Sequence, residues 1–391
     1  MKGNRFFKVI RVLFAVIAVG GCLAGRASAS VLTVGNCASG GYATIQLAVA
    51  AAASGDTIQV CPGTYPELVT IDGVNLTLEG IPHHAVPTII YPNGELPECR
   101  SDGDCSQISV RDATVQIASL TVNGSNFKPT CKLPVGIGLT DSAGNITTST
   151  ITNHVSECDE SGLEYQGDGI AVGYVTQGNY SVDISNNTIS NFGLQGIVVD
   201  GQDPFSEGTM VNLTGKISNN TVMAPEEGQY GIDLEYAHNF SITSNTVSSP
   251  INPNPSVGIL LFSSNHLTAL LNTINGPLFG IYTPEVDSST ISFNKVSNSG
   301  YTGVDLQCGT GNSIGFNNLT GTGSSTLAGV LLSVCGPPEV GADHNTIVSN
   351  SISNYCSGVL EDPSDTDNNI VFNSFHNIGP GSNIMKGDNC P

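Results

Sequence analysis

Short segments in which apolar and polar residues alternate recur along the chain, and each opens with a glycine followed by a branched apolar residue. In Gly231–Glu235 the alternation places Ile232 and Leu234 on one face of a strand, and Asp233 and Glu235 on the other. An asparagine follows the glycine after 14 residues in four units: Gly231 to Asn245, Gly258 to Asn272, Gly280 to Asn294 and Gly303 to Asn317. Looser copies begin at Gly169, Gly196, Gly329 and Gly358. The chain therefore contains an internal repeat of about 22–30 residues.

A repeat of this length is too short to bury its own apolar face, so each unit must stack on its neighbours. After the opening strand, Ile242 and Val247 continue the inward face around a bend at Asn245. An asparagine at the same place in each unit fits a left-handed backbone conformation. Its side-chain amide can also bond the amides of the units above and below. No unit has the leucine spacing of a leucine-rich repeat, and the pattern predicts an all-β, parallel β-helix.

The composition agrees with a single long solenoid. The 391 residues include 46 glycines and no tryptophan, and only 12% are charged, which is unlike a helical enzyme. The repeat continues without a linker, so we expect one elongated β-helix over residues 57–375. Residues 376–391 are predicted to form a C-terminal cap or tail.

The first 29 residues have the features of a secretory signal peptide: basic residues, the apolar stretch Val12–Val19 and the small residues Ala27–Ala29. An alternative is a lipid anchor at Cys22, because Val19–Cys22 resembles a lipoprotein cleavage box. No other stretch is long and apolar enough to span a membrane. The sequence thus predicts a secreted, periplasmic or cell-surface protein.

One amphipathic helix is predicted, from the N-cap Thr44 to Gly55. It belongs to an N-terminal cap over residues 30–56, which would cover the exposed first coil.

The helix and the strands after it carry three motifs: Thr-Ile-Gln-x-Ala-Val from Thr44, Gly-Asp-Thr-Ile from Gly55, and Pro-Gly-Thr-Tyr-x-Glu from Pro62. Together they resemble the opening of the pectate-lyase-like superfamily, which pectin methylesterases share. The coils from Gly169 onward are similar to the repeats of carbohydrate-binding and sugar-hydrolase β-helices, a group that includes periplasmic copper-site accessory proteins. The resemblance covers nearly all of the chain after the leader and implies a right-handed parallel β-helix.

No catalytic set transfers with this resemblance. The motifs that carry the paired aspartates of methylesterases and the signatures of polygalacturonases are absent. Asp203-Pro204 resembles the Asp-Pro-His of mannuronan epimerases, but Phe205 stands in place of the histidine.

Ten cysteines follow the leader, and an even number in an exported chain predicts disulfides. Cys308 and Cys335 occupy nearly the same place on successive coils, where the spacing of stacked strands suits a disulfide. The other candidate pairs are Cys99 with Cys105 and Cys356 with Cys390.

Aligning the coils on their glycines brings acidic and aromatic residues to one outward strip. Asp200 and Glu235 share a position on neighbouring coils, and Asp233 precedes Glu235 on the same face. We expect these three carboxylates to form the acid/base set of a glycoside hydrolase or a calcium site. The candidate substrate-binding residues around them are Phe262, Tyr282, Asp305 and His238. The alternative is that they are ordinary outward residues of an acidic β-helix.

The formal net charge of −21 excludes nucleic acid and anionic lipid as partners. It also disfavours a polyuronate lyase unless calcium supplies the positive charge, because few lysines lie beyond residue 135.

Two functions follow. The first is an exported, non-catalytic β-helix that binds a polysaccharide or cell-surface glycan. The second is a polysaccharide-degrading hydrolase, or less favoured a lyase or esterase, acting on a neutral or calcium-bridged glycan. Assistance in periplasmic metal insertion ranks third, because the seven histidines form no ligand pattern. We expect a monomer that requires no cofactor, with calcium as the alternative.

Overall fold

A computed structural model describes residues 29–92, 104–127, 133–157, 165–173, 178–202, 211–224, 229–250, 256–336, 340–380, 382–387 and 390. Within them the chain winds through three long parallel sheets of 13, 12 and 12 strands. Most coils contribute one strand to each sheet, which confirms the predicted all-β parallel β-helix. Residues 1–28 of the predicted leader, Cys22 included, lie outside the described residues.

The three sheets are called the first, second and third sheet below, and each coil passes from the first sheet to the third and then to the second. The first sheet holds Val31–Val34, Thr57–Val60, Leu76–Gly80, Thr114–Ala118, Ala143–Thr147, Asn179–Ser185, Asn212–Ser218, Phe240–Thr243, Thr268–Leu270, Thr290–Ser292, Ser313–Gly315, Thr346–Val348 and Asn369–Val371. The second sheet holds Val69–Asp72, Asp104–Arg111, Leu133–Thr140, Asp168–Gly173, Gln195–Asp200, Tyr230–Glu235, Val257–Phe262, Phe279–Pro284, Thr302–Gln307, Ala328–Ser333, Ser357–Glu361 and Ile384–Lys386. The third sheet holds Thr64–Pro66, Thr88–Ile90, Thr121–Asn123, Thr150–His154, Thr188–Phe192, Thr221–Met223, Thr246–Ser248, Thr273–Asn275, Lys295–Ser299, Asn318–Gly321, Ser351–Ser353 and Ser374–His376. A short antiparallel pair joins Ser156–Glu157 to Tyr165–Gln166.

Paired strands also occur before residue 57 and after residue 375, the predicted limits of the β-helix. Val31–Val34 pairs with Thr57–Val60, and Ile384–Lys386 pairs with Ser357–Glu361. Among the described residues, no helix is long and apolar enough to cross a membrane.

The N-terminal helix spans Ile45–Ala51 and is shorter than predicted. Thr44 is its N-cap, as expected, and its hydroxyl accepts a hydrogen bond from the Leu47 amide. The helix ends before Gly55 because Asp56 accepts a hydrogen bond from the Ala53 amide and draws the chain into the next strand.

Glu67, the last residue of the Pro-Gly-Thr-Tyr-x-Glu motif, has a structural task at the same helix. Its two carboxylate oxygens accept hydrogen bonds from the amides of Ile45 and Gln46, at 2.9 and 3.0 Å. These amides have no partner within the helix, and a negative charge is favourable at a helix N-terminus. The motif therefore joins the capping helix to the first coils.

The apolar positions predicted to face inward do so. Ile232, Leu234, Ile242 and Val247 are all buried in one continuous core. The segment predicted as a second strand with a bend is in fact two strands, Phe240–Thr243 and Thr246–Ser248, which belong to different sheets. The bend is sharp enough to turn the chain from the first sheet to the third.

The asparagine ladder is present, but its backbone differs from the prediction. The residue in the left-handed conformation is the one before the asparagine: Ser244 has φ 57°, and Asn245 is not among the residues with positive φ. This turn directs the Asn245 side chain into the interior. Its Nδ2 donates to Asn272 Oδ1 at 3.0 Å and to the Ile217 carbonyl at 2.9 Å, so the buried amide is satisfied by the coils on both sides.

The repeated glycine is required by packing. A Cβ at Gly231 would lie 2.3 Å from Val247 Cγ1 and 2.6 Å from the carbonyl oxygen of Gly258. The missing Cβ therefore points inward, as does the next side chain, Ile232. Because two consecutive positions face the interior, the alternation is interrupted, and the residue before the glycine faces outward.

Disulfides link Cys308 to Cys335 and Cys356 to Cys390, as predicted. A third, Cys37–Cys61, ties the N-terminal cap to the first coil and was not predicted. Cys105 is also disulfide-bonded. Its predicted partner, Cys99, lies outside the described residues.

Candidate functional site

The outer face of the second sheet brings together the acidic residues expected there. In the strand register Asp200 pairs with Glu235, and Glu235 pairs with Phe262. Asp233 lies two residues before Glu235 on the same face of the strand. Asp305 occupies the position equivalent to Asp233 three strands further along the sheet. Paired residues on adjacent strands are about 4.8 Å apart. Asp200, Asp233 and Glu235 therefore form one cluster, whereas Asp305 is roughly 14 Å from Asp233 along the axis.

Asp233 is buried even though its side chain leaves the core, with only 1% of its surface exposed. Gln195 Nε2 donates a hydrogen bond of 2.6 Å to Asp233 Oδ2. Asp233 Oδ1 is buried without a hydrogen-bond partner. An unpaired buried carboxylate oxygen is costly, so the protonated form is favoured.

The surroundings raise the pKa of all three clustered carboxyls. Burial raises the pKa of Asp233 well above its usual value, and Glu235, Asp168 and Asp200 add to the effect, while the Gln195 hydrogen bond opposes it. Burial, then the charge of Asp200, raises the pKa of Glu235. Burial also raises the pKa of Asp200, against a hydrogen bond from the Gln202 amide. The protonated form is therefore favoured at Asp233, the most buried of the three carboxyls.

An open groove of about 320 Å³ lies next to this cluster. Aromatic side chains form much of its lining: Tyr230, Phe262, Phe279 and Tyr282. The rings of Phe279 and Tyr282 are stacked with centroids 5.2 Å apart.

Polar groups converge on the same groove. The Tyr282 hydroxyl donates to Gln307 Oε1 at 2.7 Å, and Gln307 Nε2 donates to the Val334 carbonyl. Glu235 and Glu285 also line it. A concave apolar surface with a few placed polar groups is typical of small-molecule and glycan sites.

Asp305, also predicted as a binding residue, is a second buried carboxyl that pairs with Tyr282 in the strand register but is not among the residues that line the groove. It is 4% exposed, and its Oδ1 has no hydrogen-bond partner. Burial raises the pKa of Asp305 to about 7, against a hydrogen bond from Ser333. Its distance from Asp233 is too great for the two to act on one glycosidic bond, because the catalytic carboxyls of glycosidases are about 5–9.5 Å apart.

Two predicted binding residues, Phe262 and Tyr282, line the groove, and His238 does not. His238 lies at the turn that follows the second sheet, where its Nε2 is 3.0 Å from Asn212 Oδ1 on the first sheet.

The sequence analysis missed a third outward row, the residues just before the repeated glycines. Asp168, Gln195, Tyr230, Val257 and Phe279 are consecutive members of this row. Simple alternation counted back from Ile232 places Tyr230 inside, so a count along the strand does not reveal this row. The signal that identifies the row is the glycine itself, since its inward position shifts the alternation by one residue.

No metal-ligand set emerges among the described residues. Ligand atoms of Glu285, Cys308 and Cys335 lie within 4.8 Å of one another, but the two sulfurs are joined in a disulfide. Asp200, Asp233 and Glu235, which are also described, do not bring one carboxylate oxygen each within 4.8 Å of one another. Calcium binds ionised carboxylates, so it would compete with the proton at Asp233. The calcium site at these three residues stays a prediction.

A family model described as "Periplasmic copper-binding protein (NosD)" matches residues 205–335, about a third of the chain. No curated protein matches. Among solved structures, the Dettilon tailspike protein is 15% identical, with a TM-score of 0.58 over 85% of this chain and 64% of the tailspike chain. This chain thus spans less than two thirds of the tailspike. A lacto-N-biosidase from Eubacterium ramulus is 11% identical, with a TM-score of 0.55 over 92% of this chain and 68% of that one. The chain is a right-handed parallel β-helix.

The β-helix is secreted or periplasmic, since the matched family model describes periplasmic proteins and the leader predicts export. The description of that family model names copper. Among the described residues, the candidate group of copper ligands is Glu285, Cys308 and Cys335, and its two cysteines are joined in a disulfide, so they offer no thiolate to a metal.

Proposed function

We propose that the groove on the second sheet binds a neutral glycan outside the cytoplasm. The observation that carries the proposal is the aromatic lining: Tyr230, Phe262, Phe279 and Tyr282 enclose one groove beside hydrogen-bonding groups. Aromatic rings offer large apolar surfaces that suit the apolar faces of sugars, and neighbouring polar groups suit their hydroxyls.

Charge argues for a neutral ligand. The groove is lined by Glu235 and Glu285, and no lysine or arginine is among its described lining residues. Lys216, the one lysine with a described salt bridge, is paired with Asp183 at 2.9 Å on the first sheet. An acidic sugar would meet carboxylates without a compensating cation, which is unfavourable in a partly buried site.

Glycoside hydrolysis is the second candidate function, and the state of Asp233 favours it. A carboxyl held neutral can protonate the leaving oxygen, while Asp200 or Glu235 can serve as base or nucleophile. Asp233 and Glu235 are two positions apart on one strand face, roughly 7 Å. This is a backbone spacing, and it is compatible with the separation of about 6.5–9.5 Å between the two carboxyl groups of inverting enzymes, between which a water molecule enters. Asp233 is more deeply buried than a typical acid catalyst, so binding without turnover remains the first proposal.

Binding is tested by calorimetric titration of the oxidised protein with soluble neutral oligosaccharides: cello-, xylo-, manno-, laminari- and chito-oligosaccharides. We expect Phe279→Ala and Tyr282→Ala each to weaken binding about tenfold, which is about 1.4 kcal/mol. The matched control is Leu47→Ala, an exposed leucine on the N-terminal helix, outside the groove. The proposal is wrong if no member of the panel binds, or if the control weakens binding as much as the groove variants do.

Hydrolysis is tested by new reducing ends from the same panel, with calcium and with chelator. Turnover that is lost in Asp233→Asn but kept in Asp305→Asn would establish the hydrolase and locate its acid. Binding without new reducing ends in any condition would leave the first proposal alone.

A further inference from the structure

A row of exposed apolar residues follows the corner between the first and third sheets, on the far side of the molecule from the groove. It comprises the residue just before each ladder asparagine and, in two earlier coils, the residues before Leu120 and Ser149, which take the place of the asparagine. From the N-terminal end the row reads Ser119, Thr148, Asn186, Asn219, Ser244, Leu271, Phe293, Phe316, Ser349 and Phe372. All ten have positive φ, between 51° and 59°. The row changes from polar residues in the first coils to bulky apolar residues in the later ones.

The bulky members occupy a backbone conformation that does not suit them. The left-handed region is accessible to asparagine and small polar residues, and a bulky side chain there is a genuine outlier. Ser244 and Ser349 show that serine supports the same turn in this same molecule. The fold therefore does not require phenylalanine at the other positions.

Solvent exposure makes these residues more unusual. Leu271 is 59% exposed, Phe293 54%, Phe316 53% and Phe372 86%. Their side chains thus gain little from the core, while polar residues at the same place would remove both the exposure and the backbone strain. Strained and exposed aromatic residues at one repeated position indicate a contact with something outside the chain.

The spacing of the rings suggests the shape of that ligand. Phe293 and Phe316 are stacked with centroids 5.0 Å apart and planes 7° from parallel. Phe316 and Phe372 stand on either side of Ser349, two coils apart, so their backbones are roughly 10 Å apart. A small residue between two aromatic positions leaves room above Ser349 for one flat ring.

The surroundings favour a sugar ring. On the adjoining strands of the third sheet the outward residues are Lys295, Asn318, Ser351 and Ser374, at the spacing of the coils. Three of these four offer neutral amide or hydroxyl groups. A row one residue wide is too narrow for a stable protein interface, which buries about 800 Å² on each partner. The formal net charge of −21 disfavours an anionic membrane.

We propose that this aromatic row, Phe293, Phe316 and Phe372, is a second carbohydrate-binding surface, which holds a chain of an insoluble neutral polysaccharide along the corner. It is separate from the groove and does not depend on the groove's ligand. A protein with both sites would attach to a polysaccharide through the aromatic row, while its groove on the opposite side binds a second glycan chain.

The test is retention of the full, oxidised protein on cellulose, chitin and insoluble β-1,3-glucan, measured by depletion from solution. The triple variant Phe293→Ser/Phe316→Ser/Phe372→Ser should lose at least tenfold in retention on the polysaccharide that binds the wild type. Serine already occupies this turn at Ser244 and Ser349, so the variant should fold, and an unchanged or higher melting temperature would show it. The groove variant Phe279→Ala/Tyr282→Ala should keep wild-type retention.

Three outcomes would overturn the proposal. The wild type could be retained on none of the three polysaccharides, or the triple variant could be retained as well as the wild type. The wild type could also sediment as a dimer that the triple variant abolishes, with no loss of retention; the row would then be a contact between two copies of this chain. In titrations with soluble oligosaccharides the triple variant should still bind through the groove and the groove variant should not, so the failure of one site is distinguishable from failure of the other.

Discussion

Gln195 donates a hydrogen bond of 2.6 Å to Asp233 Oδ2, while the other carboxylate oxygen of Asp233 is buried without a partner. The two residues belong to neighbouring coils, and their contact is made on the outer face of the second sheet. A buried carboxyl with one hydrogen-bonded oxygen and one unpaired oxygen is more stable in its protonated form.

Asp233 should make the protein less stable as the pH rises. A carboxyl whose pKa is raised on folding contributes stability below its unfolded pKa, and this contribution is lost as the pH rises towards the folded pKa. In Asp233→Asn the amide can keep an acceptor for Gln195 without titrating. We expect the variant to gain stability over the wild type as the pH is raised from 5 to 8 in steps of about one unit, measured by urea unfolding. A constant difference across this range would contradict the assignment.

Asp305 should also make the protein less stable as the pH rises, over a defined pH range. Its pKa is raised to about 7 from an ordinary value of 3.8, so its contribution to stability should decline between about pH 4 and pH 7. The full effect is on the order of 4 kcal/mol at alkaline pH, since each pKa unit corresponds to about 1.4 kcal/mol. Asp305→Asn should remove this slope. Asp183→Asn is the control, because Asp183 is paired with Lys216 and should show no such gain at high pH.

The asparagine ladder should carry a large share of the stability of each coil. Asn272 donates to Asn294 Oδ1 and to the Ile242 carbonyl, and its own Oδ1 accepts from Asn245. Asn272→Ala would leave several buried partners unsatisfied, which should cost roughly 2–4 kcal/mol in the free energy of unfolding.

Asn275→Ala is the matched control for that variant, because Asn275 is exposed on the third sheet and its bonds to Ser297 and Asn298 are exposed as well. It should cost less than about 1 kcal/mol. Equal losses in the two variants, by chemical unfolding, would show that burial of the ladder has no special weight.

The Cys308–Cys335 disulfide should support the groove as well as the fold, because Cys335 is one of the groove's lining residues. Replacing both cysteines by serine should lower the free energy of unfolding by about 2–4 kcal/mol and weaken oligosaccharide binding by the groove. The same change at Cys37 and Cys61 removes a disulfide at the N-terminal cap. That variant should lose stability but keep its affinity; a parallel loss of affinity would place the effect in global unfolding.

The sequence by itself determined the coil. Alternation around Ile232 and Leu234 indicates which side chains enter the core. The recurring asparagine marks where each coil turns from the first sheet to the third. Both are short-range properties repeated along the chain. The Cys308–Cys335 disulfide followed from the same alignment, since stacked positions are close in space. The capping helix was recognised but its end was placed too late, because the hydrogen bond that the Ala53 amide donates to Asp56 depends on the turn that follows.

Only the tertiary structure decided the candidate site. Packing against Val247 and Gly258 forces the glycine of each coil inward, so Tyr230 and Phe279 face the groove, contrary to a simple count along the strand. The same is true of Asp233: its direction follows from alternation, but its burial depends on Gln195 and other side chains supplied by neighbouring coils. Whether an outward carboxylate is solvated or held neutral is set by residues tens of positions away in sequence, and no local pattern reports on them.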